Sequence, residues 1–369
     1  MKTEELRIGM IGVGGIADLV HHPGLSLIDG VTIAGVCDSD ADLVARRKRE
    51  WGVKASYTDA FRFLDEVAMD AVVVATPNVH HRPIVLRAFE RGLHVLCEKP
   101  LGMSAAVTMD MYQAARKAGV RHMTAFTYRF VPALAYIKSL IQGGELGEIR
   151  HARFQRLQDW GEFSIGWRQY RSMAGSGELG DMGSHRIDFS EDILGPIVSV
   201  CSSMRQVVQR TQSADGEPCD AQDVEDWVAW IAEFDCGTTG VFEMGKLSKG
   251  RGPKGDHDVA EFNGSKASVA YQLHDPTSFL WAARGEPYTR QPVPDAFLKR
   301  PGSPRDPSEG NPWHTFRFDQ AWEYVSAIRE GRDCIPSFWH GVRAQIVTEA
   351  IAEASHSRQW IDIPAGIGV

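Results

Sequence analysis

Two short stretches carry residues whose types and spacing can do proton chemistry. In Gly177-Glu178-Leu179-Gly180-Asp181-Met182-Gly183-Ser184-His185-Arg186-Ile187-Asp188, Asp181 and His185 stand four residues apart. On a helix that spacing puts both on one face. A carboxylate beside an imidazole orients it and raises its basicity, as a general base near neutral pH requires. Asp188, three residues after His185, can share that face. A histidine flanked by aspartates also fits a metal, but the chain has no HExxH and no obvious third ligand, so no metal is expected. The second stretch is Cys97-Glu98-Lys99-Pro100, which ends a strand-like run. Two charges at the carboxyl end of a strand must be paired, solvated or put to use. A lysine there can stabilise a developing alkoxide, or relay a proton once burial lowers its pKa. The plain alternative is a salt-bridged surface lysine.

A loop near the N-terminus supplies the reaction partner for such groups. Gly12-Val13-Gly14-Gly15-Ile16-Ala17 follows the first strand-like run and opens a helical stretch. It fits GxGxxG/A. Gly12 allows the tight turn, Gly14 lets the backbone approach a pyrophosphate, and Ala17 lets the helix pack closely on the strand. Asp38 ends the second strand-like run, 21 residues after Ala17, where an acid binds the adenosine ribose hydroxyls. A carboxylate there repels a 2′-phosphate, and the next residue is Ser39 rather than arginine, so NAD is expected over NADP. The basic run 46–49 reads as a solvated helix face. Thr76-Pro77-Asn78-Val79-His80-His81 ends the third run, at the sheet edge where ligands sit, and its Thr-Pro turn is placed to border the nicotinamide ribose.

These loops need a sheet to hold them. Apolar runs at 6–11, 31–37, 71–75 and 94–97 lack polar alternation, as do strands covered on both faces. Helical patterns at 41–51, 83–91 and 104–118 lie between, so right-handed βαβ units are expected. After residue 129 the character changes. A helix at 133–142 is followed by alternating stretches at 149–158, 198–209, 227–234, 240–247, 259–262 and 267–272. Asn263-Gly264 marks a hairpin, and Asp235-Cys236-Gly237 another turn. Residues 292–312 carry six prolines and read as a loop, a candidate lid or subunit contact. Helices at 313–329 and 337–360 close the chain. The expected architecture is an α/β Rossmann domain with a doubly wound parallel sheet, residues 1–128. An α+β domain with a large open, mostly antiparallel sheet follows, residues 129–369, its C-terminal helix packing back toward the first domain.

Composition narrows the function class. The chain has 369 residues and a net charge of −8, which argues against nucleic acid and against an anionic membrane surface as partners. Six scattered cysteines form no CxxC or zinc spacing and read as reduced, buried thiols. No signal peptide and no run of ~20 apolar residues is visible, so a cytoplasmic enzyme is expected.

In order along the chain, GVGGIA at 12–17, Asp38, TPNVHH at 76–81, GLHVLCEKPLGMS at 92–104 and GELGDMGSHRID at 177–188 resemble the glucose–fructose oxidoreductase and inositol dehydrogenase (Gfo/Idh/MocA) family. The resemblance implies a site at the junction of a Rossmann domain and an open sheet, with Lys99, Asp181 and His185 catalytic. It adds His81 and Glu98 to the cofactor contacts, which otherwise comprise Gly12, Val13, Gly14, Gly15, Ile16, Asp38, Ser39, Thr76, Pro77, Asn78 and Lys99. Arg129 and Pro132 match the family's RFxP stretch near substrate, with Tyr128 beside them. Thr127 stands where many relatives carry Asn. Trp160, Trp167 and Arg168 are further substrate candidates, because tryptophan faces suit sugar C–H surfaces and arginine suits hydroxyls or a carboxylate; for each tryptophan the alternative is core packing. The expected activity is NAD-dependent oxidation of a secondary hydroxyl of a neutral sugar, anhydrosugar or inositol. The rivals are an NAD-dependent glycosidase acting through transient oxidation, an NADP-linked reductase and a non-enzymatic sensor. A homodimer or homotetramer through the second sheet is expected, since such an apolar face marks a protein contact.

Overall fold

In a computed structural model of the chain, which describes residues 5–162, 166–212, 216–252 and 257–364, the apolar runs become the strands of a parallel sheet. These are β1 (Leu6–Ile11), β2 (Val31–Cys37), β3 (Ala55–Tyr57), β4 (Ala71–Val74), β5 (His94–Cys97) and β6 (His122–Thr124). Their order is β3-β2-β1-β4-β5-β6, so the winding reverses between β1 and β4. A sheet wound this way opens a crevice at the carboxyl ends of those two strands. β3 and β6 have three residues each, too short to show an apolar run. Helices cover the sheet with good ends. Asp40 caps Ala41–Glu50 by accepting the Asp42 and Leu43 N–H groups, and Ser104 caps Ala105–Ala118 through Val107. Each such cap contributes about 1 kcal/mol.

The chain divides into two compact units: Met1–Phe130 with Lys299–Val342, and Val131–Leu298 with Arg343–Val369. The expected division was a single cut after residue 128; instead a late segment rejoins the first unit. Backbone hydrogen bonding at β6 gives the reason. Thr124 N–H donates to the Pro336 carbonyl at 3.2 Å and Phe338 N–H to His122 Nδ1 at 3.1 Å, and Phe338 enters the core beside Val72 and Val95. The proline-rich stretch is pinned where it enters this unit. Asp319 accepts from Ser303 Oγ at 2.6 Å and from the Arg300 N–H at 3.1 Å, and pairs with buried Arg305 at 2.8 Å. These contacts anchor part of the stretch expected as a lid or subunit contact.

The second unit contains the other sheet: β7 (Ile149–Leu157), β8 (Ile197–Arg205), β9 (Trp227–Phe234), β10 (Thr239–Gly245), β11 (His257–Gly264), β12 (Ala267–Gln272), β13 (Ser278–Ala283), β14 (Thr289–Pro292) and β15 (Ile361–Asp362). The order is β14-β13-β12-β11-β7-β10-β9-β8-β15, with β7 and β10 parallel and the other pairs antiparallel. Alternation decides the faces. On the inner one, Phe154 and Trp230 both stack on Phe242 with ring centres 4.4 and 4.5 Å away. On the outer one, Ile231 and Val241 pair across β9 and β10 and are exposed. The Asn263-Gly264 hairpin is real, but its loop is Ser265-Lys266. Gly264 ends the strand, and only glycine fits there because a Cβ would run into the Leu146 carbonyl. β13, β14 and β15 lie outside the expected stretches; β14 is a short, largely exposed edge strand ending in proline. No described helix is long and apolar enough to cross a membrane.

Candidate active site

The glycine loop sits at the crevice end of β1. Gly12 has φ +85°, and a Cβ on it would overlap the backbone of Ala75 and Thr76, so β1 and β4 can leave the sheet side by side only with glycine here. Gly14 and Gly15 face open space where side chains would stand. The chain is then helical from residue 15 to Ser26, with a π-helical turn at Ala17–His21. Asp38 reaches back to the loop: Oδ2 accepts the Val13 N–H at 2.9 Å and Oδ1 the Asp40 N–H at 3.2 Å. This half-buried carboxylate, fixed beside an open glycine cradle, fits the ribose and pyrophosphate of a dinucleotide. Thr76 Oγ1 is buried with no hydrogen-bond partner among the described residues, and suits a ligand hydroxyl. Ile16, Ser39, Pro77 and Asn78 lie on the same loops, Asn78 buried and Ser39 exposed.

One member of the basic run departs from the expected solvated face. Arg47 is buried; its Nε donates to the Val13 carbonyl at 3.2 Å and its guanidinium pairs with Asp18 at 2.9 Å and Glu50 at 2.6 Å. It braces the loop from below, while Arg46, Lys48 and Arg49 are exposed.

Two residues expected to touch cofactor are held by partners within the protein. His81 is fully buried; Nε2 faces the Thr76 carbonyl at 2.9 Å, and Nδ1 faces the Pro100 and Leu101 carbonyls at 3.1 and 3.3 Å. It ties the exit of β4 to the turn after Lys99. Burial pulls its pKa down, against the pull of those carbonyls. Glu98 is similarly held. Its Oε1 lies 2.8 Å from Nε2 of buried His21, and its Oε2 accepts the Lys99 N–H at 3.1 Å. Burial alone would raise the Glu98 carboxyl, but His21 and Lys99 hold it below the usual value. The pair fixes the backbone of Lys99 against the helix that follows the glycine loop. Lys99 precedes a cis peptide bond to Pro100.

In the second unit, Asp181 lies on a π-helical turn, Leu179–Gly183, that runs directly into the α-helix Ser184–Leu194 carrying His185. The stretch is continuous, so both share a helical surface, Asp181 half-buried and His185 buried. Distant charges hold it. Glu225 Oε1 accepts the Gly177 and Leu179 N–H groups at 2.7 and 3.0 Å, and burial raises its pKa against those bonds. Arg186 is buried against Asp258 of β11, which also pairs with Arg156 of β7 at 2.7 Å. Arg343 and Lys138 grip the far end through Glu191 at 2.7 Å and Asp192 at 2.8 Å. Phe189 packs on Phe154, its ring 5.6 Å away. Glu178, just before Asp181's turn, is pushed up to about 7 by burial, aided by Asp181 and Glu225 and opposed by Lys246 and Arg156.

Among substrate candidates of this unit, half-buried Trp160 lies under the Lys246 ammonium at 5.7 Å, and exposed Arg168 stacks over Trp167 at 4.5 Å. Tyr128 and Arg129 belong to the first unit, Tyr128 buried with its ring 6.5 Å from Phe316. The cysteines differ in part from expectation: Cys37, Cys97 and Cys334 are buried, whereas Cys236 is exposed. Among the described residues, no group of three or more His, Cys, Asp or Glu could hold a metal ion.

Comparison with known proteins bears on these loops directly. Residues 6–126 match the oxidoreductase family with an NAD-binding Rossmann fold, and residues 134–270 match the GFO/IDH/MocA C-terminal domain. A solved oxidoreductase domain protein from Kribbella flavida is 32% identical, covers 98% of this chain and 100% of its own, and superposes with a TM-score of 0.88. This chain belongs to the GFO/IDH/MocA family. Levoglucosan dehydrogenase of Pseudarthrobacter phenanthrenivorans is 28% identical over 350 residues, 89% of each chain. A solved levoglucosan dehydrogenase in complex with NADH and levoglucosan is 26% identical over 98% of this chain and all of its own, with a TM-score of 0.89. Glucose-6-phosphate 3-dehydrogenase of Bacillus subtilis is 29% identical over 97% of this chain and 99% of its own length.

This family member is thus an NAD-dependent oxidoreductase. Several of its structural site residues gave no local signal. Arg156, Glu225, Lys246 and Asp258 are single charges on strands or their flanks, and only the sheet brings them behind the Asp181–His185 stretch. His21 had a faint signal, being on the helix that the glycine loop opens.

Proposed function

We propose that this oxidoreductase oxidises a secondary hydroxyl of a neutral sugar, anhydrosugar or inositol. The whole-chain likeness to levoglucosan dehydrogenase, together with an intact Lys99, Asp181 and His185, carries the reading. NAD supplies the hydride acceptor when bound along the Gly12–Ala17 loop. His185 takes the hydroxyl proton, and Asp181 orients its imidazole and stabilises the imidazolium. Lys99 stabilises the alkoxide as charge develops. Its backbone is already fixed by Glu98, so little ordering remains to be done when substrate binds. Trp160 and Trp167 offer faces for sugar C–H surfaces, with Tyr128, Arg129 and Arg168 as polar contacts. The buried cations of the second unit are engaged by carboxylates, and none of those ion pairs offers a free phosphate clamp.

A screen of sugars, anhydrosugars and cyclitols with NAD and with NADP, read by formation of reduced nicotinamide, tests this. Reduction of NAD by at least one non-phosphorylated polyol supports it. Activity confined to sugar phosphates, or substrate conversion with no net reduced nicotinamide, defeats it. The exposed Ile231–Val241 row on the outer sheet face supports assembly into a homodimer or homotetramer, and a monomeric mass by light scattering would defeat that part.

A further inference from the structure

Glu178 is the last residue before the π-helical turn of Asp181, and it makes no capping bond there. Its side chain is 0% exposed, and neither carboxyl oxygen has a hydrogen-bond partner among the described residues. A charged carboxylate in that setting has lost its hydration with no donor in exchange. The ionisable groups facing it are Lys246 after β10, Arg156 on β7, Asp181 on its own stretch and Glu225 before β9. These groups continue into a larger buried network. Arg156 and Arg186 pair with Asp258, Arg210 pairs with Asp226, and Lys246 lies 3.9 Å from Asp226. Among the described residues, Arg156, Arg186, Arg210 and Lys246 thus meet the carboxyls of Glu178, Asp181, Glu225, Asp226 and Asp258. Glu225 and Asp226 accept backbone N–H groups, and Asp258 accepts two guanidinium groups. Glu178 accepts from none of them, so of these carboxyls a negative charge is least well held there.

We propose that Glu178 is a neutral carboxylic acid in the resting enzyme and a positioning residue, whose proton keeps a second negative charge away from Asp181 and His185. As a base, His185 works through its neutral imidazole. Ionising Glu178 places a negative charge three residues from Asp181 and favours the imidazolium, so more of the base is blocked. This consequence for turnover rests on the reading of Asp181 and His185 given above; the proton on Glu178 does not.

The test compares the full-length wild type with Glu178→Gln, which mimics the neutral acid at every pH. An acid whose folded pKa lies above its unfolded value stabilises the fold below the unfolded value, and that stability is lost as pH rises through the folded one. The melting temperature of Glu178→Gln minus that of wild type should therefore widen by several degrees between about pH 5.5 and pH 8.5. A gap that stays constant with pH overturns the neutral acid. Glu178→Met, apolar and of similar length, gives the same comparison if the Gln variant does not fold. With NAD and a polyol substrate, the acidic limb of the kcat/KM profile, which reports loss of the proton from the base, should shift to lower pH by at least about half a unit in Glu178→Gln. An unmoved limb overturns the positioning role. If Asp181→Asn and His185→Asn both keep full turnover while the stability gap still widens, the assignment of the base fails and the proton on Glu178 stands.

Discussion

The glycine-loop side and the Asp181–His185 side of this enzyme are built on opposite principles. The glycine loop, Asp38 and Thr76 are shaped by backbone: a positive φ, two missing side chains and a carboxylate held by amide N–H groups. The Asp181–His185 stretch is held by buried charge, with Arg156, Arg186, Glu225 and Asp258 reaching it from other elements of its unit. A dinucleotide presents the same pyrophosphate to every enzyme that binds it, so a short local motif suffices. The proton transfer proposed for the Asp181–His185 stretch needs a base at one defined point, and rigidity there comes from groups that are costly to move. Buried ion pairs are weak contributors to net stability, yet removing one partner strands the other at high cost. The two sides should therefore fail differently when cut.

The largest expected effect separates chemistry from binding. His185→Asn and Lys99→Met should each lower kcat by about 10²–10⁴-fold while NAD affinity, read by fluorescence titration, stays near wild type. Equal loss of NAD affinity would erase the distinction between the two sides. Next is Asp258→Asn, which removes the counter-charge of two buried guanidiniums and should destabilise the fold by about 3–5 kcal/mol in chemical denaturation. A change below about 1 kcal/mol would mean that the network does not hold the stretch. Gly12→Ala should act on the other side, through a strained φ and overlap with Ala75, at a cost of about 1–3 kcal/mol. Its signature is a rise in the NAD dissociation constant of at least about tenfold. The smallest effect sharpens the contrast within one helix. Replacing exposed Arg46, Lys48 and Arg49 together by Gln should leave the melting temperature within about 2 °C of wild type. Arg47→Gln, which unties the loop from Asp18 and Glu50, should lower it further and weaken NAD binding.

The backbone-built side was legible because its signals are local. GVGGIA, the acid at 38 and each apolar strand can be read within a few residues, and a doubly wound parallel sheet followed from them; the strand order came from the structure. His81 and Glu98 also hold the loops that carry them, which their residue types do not show. Their residue types are those of ligand contacts, and only the carbonyls around His81 and the imidazole beside Glu98 show that both brace loops. Arg47 was hidden among three neighbours of the same charge, since its burial depends on which side of the helix faces Val13.

The sequence by itself determined the parallel sheet, the dinucleotide loop and the Asp181–His185 spacing. Each is a pattern within one strand, one turn or one helical stretch, where period and side-chain size decide the outcome. Only the tertiary structure decided that the chain returns through Phe338 to complete the first core, and that Asp258 and Glu225 anchor a stretch far from them in sequence. It also decided that Glu178 is shut away from water. Burial and charge pairing are properties of neighbours in space, and a lone charged residue on a strand gives no sign of which neighbours the fold will bring to it.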